Sequence, residues 1–66
     1  MRQPKYKKTD KVRPSKGLYS SFMCFIDDIY YDEESDEFIY AVHTVSSPNS
    51  IHYFSESELL WAGLNI

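Results

Sequence analysis

The chain has 66 residues, with 10 acids, 7 bases and a formal net charge of -3. That length holds one small core and excludes a nucleotide-binding α/β fold or a multi-helix enzyme with a deep cleft. Apolar residues make up 42%, yet no run approaches the roughly 20 needed to cross a bilayer, and the opening MRQPKYKK lacks the apolar stretch of a secretory signal.

Residues 1–5 read as a disordered basic tail, residues 6–62 as the folded domain and residues 63–66 as a short C-terminal tail. All seven bases fall in the first sixteen positions, with Asp10 as the one acid there, a local charge of +6. From Gly17 onward there are nine acids and no Lys or Arg, a charge of -9. A basic arm beside an acidic body has two physical uses. The arm can dock on phosphates through Lys5, Lys7, Lys8, Lys11 and Arg13, with Tyr6 available to stack. It can also lie on the protein's own acidic surface.

Lys11-Val12-Arg13 reads as a short strand ended by Pro14, which cannot donate to a ladder. Ser15 to Ser21 is a loop around Gly17, with Leu18 and Tyr19 packing back. Phe22 to Tyr31 is the strongest strand signal, rich in aromatic and branched residues. Strict alternation fails at Asp27-Asp28, so a bulge or bend is expected there, bringing Ile26 and Ile29 to one side. Cys24 lies in this apolar run and reads as a buried, inert thiol. A single cysteine forms no internal disulfide, which fits a reducing, cytoplasmic location.

Asp32 to Asp36 reads as a turn. The acids Asp27, Asp28, Asp32, Glu33, Glu34, Asp36 and Glu37 crowd into eleven positions. They form either a solvated turn or, with Tyr30 and Tyr31, a surface that meets a basic partner. Calcium is disfavoured, since DEESDE lacks the loop Gly and ligand order of an EF-hand. Phe38 to Val45 reads as a second long strand, residues 46–50 as a turn, and Ile51 to Phe54 as a third strand. Ser55 and Glu58 have capping-box spacing, so one 3-10 turn precedes a closing strand at Leu60-Trp61.

Catalysis and metal binding find little support. Cys24, His43 and His52 are too few and too widely spaced for zinc. His43 and His52 read as exposed neighbours across a hairpin, and Asp27 and Asp28 point opposite ways. No enzyme activity, cofactor or small-molecule ligand is expected.

Phe25-Ile26-Asp27-Asp28-Ile29, Phe38-Ile39-Tyr40-Ala41-Val42 and Tyr53-Phe54-Ser55-Glu56-Ser57-Glu58-Leu59 together resemble small SH3-like proteins encoded by phages and prophages of Gram-positive bacteria. The chain departs from that pattern at Thr9-Asp10, where Gly-Asp is common, and at Tyr19-Ser20-Ser21-Phe22, where a further Gly is common. The resemblance implies an all-β fold, an SH3-like five-stranded barrel with one 3-10 turn before the last strand. It also implies a host protein as target. The expected function is therefore a protein–protein interaction module, in one form an acidic modulator of a host protein and in another a self-associating domain. Its partner-binding surface is expected at Asp28, Tyr30, Tyr31, Asp32, Glu33, Glu34, Asp36 and Glu37. The alternative is weak, salt-dependent nucleic-acid binding through the basic segment. No membrane association is expected.

Overall fold

The computed structural model describes residues 3–62. Five strands, β1 (Lys11–Pro14), β2 (Cys24–Asp32), β3 (Glu37–Thr44), β4 (Ser47–Ser55) and β5 (Leu59–Trp61), form one antiparallel sheet. The order is β4-β3-β2-β1-β5. A 3-10 turn, Glu56–Glu58, joins β4 to β5. The two outer strands are β4 and β5, and no ladder joins them among the described residues. No helix among these residues is long and apolar enough to cross a membrane.

One face of the sheet carries the core. Tyr6, Val12, Cys24, Ile26, Phe38, Tyr40, Val42 and Leu59 are buried together, and Ile29 and Phe54 pack against them. Alternation explains the choice: successive strand residues point to opposite faces, so Phe38, Tyr40 and Val42 go inward while Ile39 and His43 are only half-buried. The break expected at Asp27-Asp28 is present. Ile26 pairs with Val42 and Asp28 with Ala41, which leaves Asp27 as the extra residue of a bulge. The added residue flips the alternation, so Ile26 and Ile29 share the core face.

Several expected boundaries move. β2 begins at Cys24 rather than Phe22, because residues 17–22 close two turns, Ser20 N–H to Gly17 O and Phe22 N–H to Tyr19 O. Leu18 is 87% exposed rather than packed back. Tyr19 does turn inward, its ring 4.6 Å from that of His52. β4 begins at Ser47, so the segment expected as a turn over residues 46–50 is mostly strand. Thr44 pairs with Ser47 but Val42 pairs with His52, and residues 48–51 bulge between them. Pro48 fits there because β4 is an edge strand. Val45 falls in the tight turn, exposed.

The 3-10 turn lies where the capping spacing put it, with Ser55 N–H donating to Glu58 Oε1 at 2.9 Å. β1 extends to Pro14, which pairs with Leu59. Of the tail expected over residues 1–5, Met1 and Arg2 lie outside the described residues, and Lys5 N–H donates to Glu56 Oε2 at 2.7 Å. The tail expected over residues 63–66 also lies outside them.

Candidate functional site

The solvent side of the β2-β3-β4 sheet carries an aromatic patch. Paired residues in antiparallel strands point to the same side. Asp28 pairs with Ala41, Tyr30 with Ile39 and Ala41 with Tyr53. These five therefore share one face. Tyr30 is 49% exposed and Tyr53 63%. Ala41 is buried although it faces outward, as expected for a small residue beneath two tyrosines.

Asp28 organises this face. It accepts from Ile29 N–H at 3.1 Å and from the Tyr30 hydroxyl at 3.2 Å, and Lys8 Nζ lies 3.7 Å away. The Ile29 N–H, seconded by the Tyr30 hydroxyl and Lys8, holds the Asp28 carboxyl below its ordinary range. The same bond pushes the Tyr30 hydroxyl up, with help from the Asp28 charge. Asp28 thus remains an anion and Tyr30 a neutral donor at neutral pH. At the bulge, His43 Nδ1–H donates to Asp27 Oδ2 at 2.8 Å on the same side of the sheet.

The acidic and aromatic residues picked from sequence do not form one surface. Tyr30 and Tyr31 are strand neighbours and point to opposite faces. Tyr31 packs its ring 5.1 Å from Phe38, and its hydroxyl donates to Asp36. Asp32 orders the hairpin turn, accepting from Glu34 N–H at 3.3 Å and from the Ser35 hydroxyl at 2.8 Å. Glu33 and Glu34 are exposed in that turn. Glu37 accepts from Ser57 N–H at 3.3 Å. Asp28, Tyr30, Asp32 and Glu37 fall on the outer-face side of β2 and β3 by register, joined there by Ile39 and Tyr53, which the sequence alone does not assign to the site. The alternation of β3 and β4 held the signal, but the cross-strand register needed to use it was not readable.

The basic segment is bound to the body. Thr9 N–H donates to Ile26 O at 2.9 Å and Ile26 N–H to Asp10 O at 3.1 Å. Lys7 N–H donates to Asp10 Oδ2 at 2.9 Å. Lys8 meets Asp28, as self-complementary electrostatics would have it. Lys11 and Arg13 project from the exposed side of β1, with Arg13 Nη1–H donating to Ser20 O at 3.3 Å. Tyr6, expected as a free stacking ring, is instead a core residue at 3% exposure. It is fixed by its N–H to Tyr40 Oη at 3.2 Å and its hydroxyl to Leu59 O at 3.2 Å. Its ring stacks on Trp61, 8° from parallel with centroids 6.2 Å apart. Trp61 is 50% exposed and borders an open groove of about 500 Å³ with Gln3, Pro4, Lys5, Tyr6, Lys7 and Asp10.

Of the residues weighed for catalysis, Asp27 and Asp28 do not point opposite ways as alternation predicts, because the bulge turns both to the outer side, where Asp27 meets His43, while Cys24 and His52 lie apart from them. Cys24 is 1% exposed, and burial raises its thiol above the ordinary range. His52 pairs with Val42 on the core side, while His43 faces outward. Among the described residues no three His, Cys, Asp or Glu are grouped to hold a metal ion. The chain matches no family model, no curated protein and no solved structure.

Proposed function

We propose that this chain is an SH3-like, non-enzymatic interaction module of the phage-encoded kind, acting in the bacterial cytoplasm. Its outer sheet face docks a host protein that presents cations beside an apolar patch. The strand order β5-β1-β2-β3-β4, with one 3-10 turn before β5, supports the SH3-like part of this reading. So does Thr9, whose φ of 72 is a glycine-like conformation at the position where the phage pattern has Gly.

The observation that carries the docking reading is the pair of half-exposed tyrosines, Tyr30 and Tyr53, set over Ala41 beside an ionised Asp28. Tyrosine is favoured at interface centres because it offers apolar area with a polar tip. The acidic body around it favours a cationic partner and repels nucleic acid.

The test is quantitative capture from nuclease-treated host lysate by wild type and by a Tyr30→Ser/Tyr53→Ser variant. The expected result is a basic protein retained by wild type and lost with the variant, at unchanged circular dichroism. Equal retention by both proteins refutes the assignment of this face.

A further inference from the structure

A second surface, away from the outer tyrosines, carries an independent reading. We propose that the groove beside Trp61 binds single-stranded nucleic acid, one base stacking on the indole while Lys5 and Lys7 contact the flanking phosphates. It stands apart from the protein-docking reading and uses other residues.

The argument begins with the indole. Trp61 ends β5, an edge strand, so no further strand covers its outer side among the described residues. Tyr6 stacks behind it, and Tyr6 is itself locked by two hydrogen bonds, to Tyr40 and to Leu59. The indole is therefore a rigid, half-exposed platform. Its stacking cost is low because little freedom is left to lose. Bases stack on such rings with little sequence preference, since every base offers a π-face.

The charges fit the same ligand. Lys5 and Lys7 line the groove and both residues are exposed. Lys5 Nζ sits over the ring of Tyr6, the residue that backs the indole, 5.6 Å from its centre. The one acid in the groove, Asp10, accepts from Lys7 N–H. The acidic hairpin over residues 32–37 lies at the far end of β2 from β1, which pairs only with Cys24 and Phe25. Sequence reasoning gave the stacking role to Tyr6. The fold buries Tyr6 and hands its exposed partner, Trp61, that role.

Trp61 is the single tryptophan of the chain, so its fluorescence reports on the groove. The full-length protein is titrated with a twelve-residue oligothymidylate in 50 mM salt. Quenching that saturates is expected, with log affinity falling against log salt at a slope of about -1.4, two phosphate contacts at ~0.7 each. By anisotropy of a labelled oligothymidylate, Trp61→Leu is expected to weaken binding about tenfold. Lys5→Gln/Lys7→Gln, altering only exposed side chains, is expected to flatten the salt slope. An abasic oligomer of equal length is expected to bind at least tenfold more weakly. No quenching, equal binding of the abasic chain, or an unchanged salt slope in the double-lysine variant overturns the proposal. Equal quenching by polyglutamate, an anion with no bases, overturns it as well.

Discussion

The Tyr40 hydroxyl donates to Glu56 Oε2 at 2.8 Å while accepting from Tyr6 N–H at 3.2 Å. One buried oxygen thus ties the basic arm, the central strand and the 3-10 turn together. Lys5 N–H closes the same node by donating to Glu56 Oε2. The arm is consequently part of the domain, because Tyr6 cannot leave without stranding polar groups.

Removing that oxygen has a defined cost. Tyr40→Phe keeps the ring but leaves the Tyr6 N–H without its buried acceptor, a loss of about 1–3 kcal/mol. Urea denaturation is expected to show a lower midpoint with an unchanged slope. Amide exchange at Tyr6 is expected to accelerate in the same variant.

The node also predicts an alkaline limit. Burial, aided by the Glu56 carboxylate, pushes the Tyr40 hydroxyl up to about 12, against an ordinary 10.0. A folded-state value above the unfolded one means that the unfolded chain loses its proton first as pH rises. Stability from Tyr40 is therefore complete below pH 10 and lost between about 10 and 12, a fall of at most about 3 kcal/mol. Stability measured across that range is expected to decline more steeply for wild type than for Tyr40→Phe.

The bulge at Asp27 makes a sharper claim. Deleting Asp27 restores plain alternation and sends residues on one side of the break to the wrong face. Loss of the cooperative thermal transition is expected. Asp27→Asn, which keeps the residue count and alters only the surface pair with His43, is expected to cost less than about 1 kcal/mol.

Thr9 holds a φ of 72, where a β-branched side chain is strained. Thr9→Asn keeps a polar side chain that tolerates this conformation. Thermal denaturation is expected to show a gain of about 0.5–1 kcal/mol. A loss would mean that the Thr9 side chain contributes something beyond its backbone bond to Ile26.

The meander was legible because its strands carry strong local signals. Phe38 to Val42 is an unbroken apolar run with strand-forming residues, Ser55 and Glu58 have the spacing of a cap, and Asp27-Asp28 breaks the pattern where the bulge forms. The arm was harder to read. Tyr6 stands among lysines, and only contacts with Tyr40 and Leu59, 34 and 53 residues away, make it core. The site was half legible. Asp28 and Tyr30 were selected by their residue types, but Tyr31 was grouped with them although adjacent strand residues face apart. Tyr53 and Ile39 join the patch through register, which is a property of paired strands and not of either strand alone.

The most direct measurement places a benzophenone photo-crosslinker at position 53, and separately at position 18 on the exposed loop, in the otherwise native chain inside the bacterial host. The account predicts a discrete adduct with a basic host protein from position 53 and none from position 18. A position-53 adduct only with a second copy of the chain would contradict the host-target reading, and the same adducts from both positions would contradict docking through the outer face.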